Sequence, residues 1–137
     1  PIWSAGNTGW TGTFSINYPA RAPYSIAVGA LTLDDTVFSY SSFGPQLDLV
    51  APSGLTGGYG DVWSLDQMGS LGQNPKYIPS ACPPDSNDVG YYCVFGGTSA
   101  ACPVVSGTAS LLLSAIRYRD PTFSNIDGTE EASDTLW

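Results

Sequence analysis

The chain has 137 residues, 42% hydrophobic content and a formal net charge of −8, which suits one folded domain rather than a disordered segment. Twelve acidic against four basic residues repel phosphate backbones and anionic lipid surfaces, which argues against nucleic-acid binding. The longest apolar run, near residues 104–116, is interrupted by small polar residues and is too short to span a bilayer, so no transmembrane segment is predicted.

Short apolar runs and one extended piece predict strands in the order 1–5, 25–30, 37–40 and 47–51. The first strand ends at a glycine-flanked turn that contains Asn7, and a loop rich in small and polar residues follows over residues 10–23. Pro52 stops the last of these strands. The first half of the chain is therefore predicted to be mainly buried sheet.

The second half of the chain contains an irregular segment, a segment with a helical pattern and an acidic segment. Residues 52–97 are irregular, with one hairpin predicted around 60–66, and connections of this length are usually functional. From Ser99 to about Arg119, apolar residues recur every three or four positions, which predicts a helix. The acidic segment 120–137 contains no basic residue and is predicted to be mostly solvated surface.

The three cysteines allow more than one arrangement. Pairing Cys82 with Cys93 closes a short loop and leaves Cys102 as a buried free thiol in the predicted helix, but three cysteines alone do not prove this pairing. With no histidine and no CxxC spacing in the chain, a zinc site has no support.

Ser99 lies where a glycine-rich segment, Gly96-Gly97, meets the predicted helix. The N-terminus of a helix offers free N–H groups and a positive dipole end, which favour developing negative charge and make Ser99 a candidate nucleophile. Ser and Thr are also very common helix caps, so Ser99 or Thr98 is equally open to that interpretation. Asn7 is either a donor to an oxyanion or a turn residue in the left-handed region. The local pattern leaves these alternatives open.

Four segments together carry a family resemblance: WSAGNTG (3–9), YPARAPYSIAVGA (18–30), FSYSSFGPQLDLVAPSG (38–54) and FGGTSAACPVVSGTASLLL (95–113). In this order they resemble the C-terminal half of a subtilisin-like serine protease domain. The resemblance implies an α/β, three-layer fold with a mainly parallel sheet flanked by helices, present as a partial domain. That domain covers 1–119, with a long insertion at about 54–95, and is followed by the acidic segment.

The resemblance also implies a serine endopeptidase acting on a polypeptide substrate, with Ser99 as the nucleophile and Asn7 as the side-chain donor of the oxyanion hole. The substrate-binding residues that it implies are Ser4, Ala5, Gly6, Asn17 and Thr98. Tyr18-Pro19 occupies the position of a cis prolyl bond.

The resemblance implies no cofactor for the chemistry itself. It does imply a structural calcium bound by Asp48 together with backbone carbonyls near Ala20 and Ala22. The alternative is that Asp48 only ends a strand at the surface, since calcium sites normally recruit more oxygen ligands than these.

Subtilisin-like proteases also need an Asp and a His that precede the oxyanion Asn, and this chain contains no histidine. The chain is therefore expected to be part of a larger secreted enzyme whose N-terminal half carries both residues, and to be inactive alone. One alternative is a sedolisin-like serine-carboxyl peptidase, which needs no His but has Asp at the position of Asn7. The other is a catalytically inactive pseudoprotease or binding module.

Overall fold

The computed structural model describes residues 1–54, 62–68, 71–72, 90–120 and 123. The elements in these ranges are β1 (Ile2–Ser4), a 3-10 turn (Gly9–Thr11), β2 (Ile26–Leu31), β3 (Leu49–Pro52), β4 (Val62–Leu65), β5 (Tyr91–Phe95) and the helix α1 (Thr98–Arg119). Nearly all of the acidic segment, and Cys82, lie outside the described residues.

Strands β1, β2 and β3 form a parallel sheet in that order, with Ile2 opposite Ile26 and Val28 opposite Leu49. The central strand β2 is buried over most of its length. A strand covered on both faces needs no polar side, which explains the unbroken apolar sequence IAVGAL. Because the strands are parallel, their carboxyl ends share one edge of the sheet, and the residues that follow β1 and β3 lie at that edge.

The two faces of the sheet have separate cores, because alternate residues of a strand point to opposite sides. On one face, Val28 and Ala30 of β2 pack with Ala101 of α1. On the other face, Ala27 packs with Ala5 and with the loop that follows β1. The described residues therefore form a parallel sheet with a helix on one side, which confirms the predicted α/β class.

The helix α1 has 22 residues and packs across all three strands of the parallel sheet. Four of its hydroxyl groups donate to the carbonyl four residues earlier at 2.9–3.1 Å, namely those of Ser106, Thr108, Ser110 and Ser114. These bonds satisfy the hydroxyl donors inside the helix. The surface of α1 is therefore more apolar than its serine content suggests.

Among the described residues, α1 is long and apolar enough to cross a membrane by length and composition alone. The sequence argument that the apolar run is too short was wrong on length, because the helix begins at Thr98 and extends to Arg119. The same helix packs on the sheet through the buried Ala101 and the half-buried Val105, and 11% of its apolar window is buried.

Two strand predictions need local correction. The piece 37–40 is not a strand: Val37 makes a single antiparallel bridge to Leu31, and the chain then turns at residues 39–40. The strand predicted at 47–51 runs from Leu49 and includes Pro52. Pro52 is compatible with β3 because β3 is an edge strand in the described sheet, so a missing N–H breaks no ladder there.

The hairpin predicted around 60–66 was also wrong. Strand β4 pairs antiparallel with β5, with Val62 opposite Phe95 and Leu65 opposite Tyr91. The partner strand lies far along the chain, so the turn residues near β4 carried no information about it. Strand β5 leads directly into Gly96 and the start of α1, which connects this two-stranded sheet to the region around Ser99.

Candidate active site

Ser99 is exposed and is the second residue of α1. The helix begins after Gly97, which is the N-cap residue with φ 77°, and no side chain makes a capping hydrogen bond there. The interpretation of Ser99 or Thr98 as a side-chain cap was therefore wrong. The Ser99 hydroxyl lies at the positive end of the helix and is not engaged in capping.

Thr98 connects the start of α1 to the loop after β1. Its backbone N–H and its hydroxyl both donate to Asn7 Oδ1, at 2.9 and 3.0 Å, and its hydroxyl oxygen accepts from the Gly6 N–H at 3.1 Å. Thr98 is 1% exposed, so these bonds are shielded from water. A backbone N–H only donates, so the atom of Asn7 that faces it is the oxygen, and the amide nitrogen is the free end.

Two N–H donors lie at the start of α1, where Asn7 contacts Gly97 and Thr98. No hydrogen bond within the described residues engages Nδ2 of Asn7, since both bonds of that side chain go to Oδ1. At the start of α1, the N–H of Ala100 donates to the Gly97 carbonyl at 3.0 Å, whereas the N–H of Ser99 has no acceptor in the described part of the chain. Two fixed donors near a hydroxyl suit a site where an oxygen becomes negatively charged.

Gly97 approaches Asn7 more closely than a larger residue allows. A Cβ at Gly97 would lie 2.9 Å from Asn7 Nδ2, and the backbone φ of 77° is rare for residues with a side chain. A glycine at position 97 is thus required by the site geometry.

The end of β3 holds Gly97 from the opposite side. Ser53 Oγ donates to the Gly97 carbonyl at 2.6 Å, and the Gly97 N–H donates to the Gly54 carbonyl at 3.3 Å. The Tyr40 hydroxyl donates to that same Gly54 carbonyl at 2.7 Å. Sequence reasoning missed Ser53 and Tyr40, although Ser53 follows a parallel strand at the sheet edge to which β1 also delivers Asn7.

In the sequence, the residues predicted to bind substrate lie before and after Asn7. Ser4, Ala5 and Gly6 precede it directly, and the Ala5 N–H donates to the Val28 carbonyl at 2.8 Å, which fixes this segment to β2. Asn17 is exposed, and the preceding Ile16 packs in one core cluster with Ala5.

The predicted cis bond at Tyr18-Pro19 is confirmed. The side chain of Thr98 is engaged with Asn7, and its contact with substrate stays a prediction.

The residues implied for calcium offer few ligands. Asp48 Oδ2 accepts from the Ala27 N–H at 2.8 Å, and the Ala22 carbonyl accepts from the Ser25 N–H at 3.2 Å; the third implied residue, Ala20, is buried. The described residues contain no group of three or more carboxylate, His or Cys side chains that would hold a metal ion. Ca²⁺ takes about six to eight oxygen ligands, which is more than these three residues supply, and the calcium site stays a prediction.

The cysteine prediction is partly outside the described residues. Cys102 is a free thiol and is half-buried in α1. Cys93 is not free, but its predicted partner Cys82 lies outside the described ranges. The pairing therefore stays a prediction.

Comparison with known proteins decides the family. A sequence model described as the subtilase family matches residues 1–130. The chain belongs to the subtilase family. Subtilisin NAT of Bacillus subtilis subsp. natto is 35% identical over 123 residues, which are 89% of this chain and 24% of that protein. Halolysin of Haloferax mediterranei is 35% identical over 112 residues, which are 82% of this chain and 16% of that protein.

Solved structures agree with this assignment. The subtilase chain is similar to a cold adapted subtilisin-like serine proteinase, with a TM-score of 0.52 and 31% identity, over 82% of this chain and 30% of the other. The prenylagaramide maturation protease PagA has a TM-score of 0.55 and 26% identity, over 86% and 33% of the two chains. The family resemblance is confirmed. The chain spans about a quarter of the length of the subtilisin that it matches.

Proposed function

We propose that this subtilase chain carries the nucleophile and the oxyanion hole of a serine endopeptidase that cleaves polypeptides. The observation that carries the proposal is the pair of unengaged N–H donors, Asn7 Nδ2 and the Ser99 backbone, beside the exposed Ser99 hydroxyl at the start of α1. A simple helix start would need neither the buried Thr98 contact nor the close approach of Gly97 to Asn7.

In this mechanism, Ser99 Oγ attacks the peptide carbonyl carbon while its proton passes to a general base. The carbonyl oxygen becomes an oxyanion, which accepts hydrogen bonds from Asn7 Nδ2 and the Ser99 N–H. Collapse of the tetrahedral intermediate expels the amine, which takes the proton from the protonated base, and leaves an acyl group on Ser99, which water then removes. The Thr98 bonds hold Asn7 in place beforehand, so the donors need little reorganisation as charge develops.

The general base comes from outside this chain in our proposal, because the chain contains no histidine. The N-terminal half of the same protease domain would supply the His and the Asp that orients it. The exposed face of α1 supports such a partner: Val104, Leu111 and Leu112 are 44%, 74% and 58% exposed, although a helix that is apolar all round is normally buried. Strand β1 is also an edge strand of the described sheet, where another parallel strand can add.

We further propose that the full-length protein, meaning this chain together with that N-terminal half, is extracellular. The predicted Cys82–Cys93 disulfide and the net charge of −8 suit that environment. The same charge makes nucleic acid and anionic membranes unfavourable partners. No cofactor takes part in the proposed chemistry.

The test is hydrolysis of an unfolded polypeptide by the full-length protein and its Ser99→Ala variant. The variant is expected to lose activity by several orders of magnitude, because the attacking oxygen is gone. Ser110→Ala is the matched control, since it removes a serine hydroxyl of the same helix that bonds only to the Ser106 carbonyl, at 3.0 Å. Full activity in Ser99→Ala would overturn the proposal.

The pH dependence separates this proposal from serine-carboxyl chemistry. With a histidine base, kcat/KM falls in acid as the imidazole protonates, at about pH 6–7 for an ordinary histidine. A rate maximum in acid would instead indicate a carboxylate pair sharing a proton.

A further inference from the structure

We propose that Ser53 and Tyr40 are positioning residues of the subtilase site, which hold the Gly97 peptide from the end of β3 and thereby keep the oxyanion donors aligned. The inference rests on the proposed function of Ser99 and Asn7. Neither side chain has a hydrogen bond to Ser99 or Asn7 among the described residues, so both act through the backbone of Gly97.

Ser53 is anchored in the sheet and bonds to the turn before the nucleophile. Its N–H donates to the Leu31 carbonyl of β2 at 3.1 Å, and it is 7% exposed. Its hydroxyl donates to the Gly97 carbonyl at 2.6 Å. That carbonyl also accepts the Ala100 N–H that begins α1. Ser53 therefore fixes the carbonyl on which the helix starts.

Tyr40 fixes the carbonyl that accepts the N–H of Gly97. Its hydroxyl donates to the Gly54 carbonyl at 2.7 Å, and this carbonyl accepts the Gly97 N–H at 3.3 Å. The Tyr40 ring is stacked on Phe38, with centroids 4.8 Å apart and planes 16° apart. Both backbone polar groups of Gly97 are thus bonded to the segment 53–54, and a rigid aromatic side chain holds that segment.

The position of Gly97 matters because the oxyanion donors adjoin it. Its backbone at φ 77° leaves room for Asn7 Nδ2, which would be 2.9 Å from a Cβ. The next residue, Thr98, carries the N–H that bonds Asn7 Oδ1. A shift of the Gly97 peptide would move both contacts together. Misplacement of reacting groups by about 1 Å can lower a rate by about 100-fold.

The experiment uses the full-length protein with Ser53→Ala, Tyr40→Phe and the double substitution, and measures kcat and KM separately on a peptide substrate. A partial loosening of the turn is expected to lower kcat by about tenfold in each single variant, with KM changed less than about twofold. Because both residues act on the Gly97 peptide, the double variant should lose less than the product of the single losses. Ser53→Thr, which keeps the hydroxyl, should restore most of kcat.

Ser41→Ala is the matched control. Ser41 is also buried, at 2% exposed, but its hydroxyl accepts the Ala30 N–H at 3.1 Å inside the sheet, so its loss should lower Tm and leave kcat unchanged. If Ser53→Ala and Tyr40→Phe behave in the same way in an active protein, this inference is overturned and the proposed function survives. If Ser99 of the folded wild-type protein is unreactive, the proposed function fails and this inference fails with it.

Discussion

Within the described residues, Asn7 has an oxygen that accepts two hydrogen bonds and a nitrogen with no partner, and this asymmetry separates its two roles. Oδ1 accepts the N–H and the hydroxyl of Thr98, which is structural. Nδ2 has no partner in the described residues, which leaves it for an oxyanion. A substitution that keeps the oxygen and removes the nitrogen tests the second role.

Asn7→Asp is that substitution, because it preserves the shape and the acceptor while a carboxylate oxygen, with its negative charge, replaces the donor. We expect kcat of the full-length protein to fall at least 10²- to 10³-fold, the approximate effect of losing one such donor, which was measured on subtilisin itself and does not follow from these distances. The loss should be in kcat rather than KM, since the bond forms only as charge develops. A folded Asn7→Asp variant with wild-type kcat would remove Asn7 from the mechanism.

Alanine substitutions at Gly97 and Gly12 separate the effect of backbone strain from the effect of displacing Asn7. Gly97→Ala forces a side chain into φ 77° and against Asn7 Nδ2, whereas Gly12→Ala forces it into φ 70° with no atom within 4 Å of the new Cβ. Gly12→Ala, at ψ 8° in the left-handed region, should lower the free energy of unfolding by about 1–2 kcal/mol. Gly97→Ala, at ψ 176° in a region that is essentially confined to glycine, should lower it by about 1–3 kcal/mol. Only Gly97→Ala should also lower kcat, as measured by steady-state kinetics. Equal kcat in the two variants would contradict the close-approach argument.

The sequence located these residues better than it located their partners. Ser99 and Asn7 stand in short motifs, so their positions were predictable. The Ser53 and Tyr40 bonds to Gly54 and Gly97 join positions about 14 to 44 residues apart, and hydroxyl groups at turns are too common in sequences to indicate such long-range contacts.

At the level of elements, α1 has one face against the sheet and one face open. The first face includes the buried Ala101 and the half-buried Val105, and the second includes Leu111, which is 74% exposed. If the N-terminal half of the domain covers α1, Leu111 is a core residue of the full-length protein.

Leu111→Ala in the full-length protein should then lower the free energy of unfolding by about 2–5 kcal/mol, as for a buried leucine. Leu33→Ala is the matched control, because Leu33 is 87% exposed in a turn and should change stability by less than about 0.5 kcal/mol. Denaturant unfolding of both variants measures the difference. Equal small effects would show that nothing packs on this face of α1.

The elements that the sequence predicted well are those with local signals. Strands β1 and β2 and helix α1 follow from apolar runs and from a period of three to four residues, which neighbouring residues determine. The pairing of β4 with β5 joins Val62 to Phe95, and no local pattern encodes a partner at that distance. The strand prediction at 37–40 was wrong because the aromatic residues there are not strand residues. Phe38 and Tyr40 instead pack against the core cluster that contains Val28 and Ala101.

At the scale of the whole molecule, the described residues supply the proposed nucleophile and the two proposed oxyanion donors, and no histidine is present in the sequence to act as their base. Loss of the base from a catalytic triad lowers kcat by about 10⁶-fold, so the 137-residue chain alone should be inactive while the full-length protein cleaves peptides. The family and fold were predictable from four motifs in order. The second half of the site was predictable only as a requirement of the proposed chemistry, because this sequence contains no histidine.

The most direct test of the central claim is labelling with a fluorophosphonate, which reacts only with a serine activated as a nucleophile. The full-length protein should gain a single phosphonyl adduct, and mass spectrometry should map that adduct to Ser99. Ser99→Ala and the isolated chain should remain unlabelled, because one lacks the oxygen and the other lacks the base. A folded full-length protein that gains no adduct, or whose adduct persists in Ser99→Ala, would contradict the assignment of Ser99 as the nucleophile.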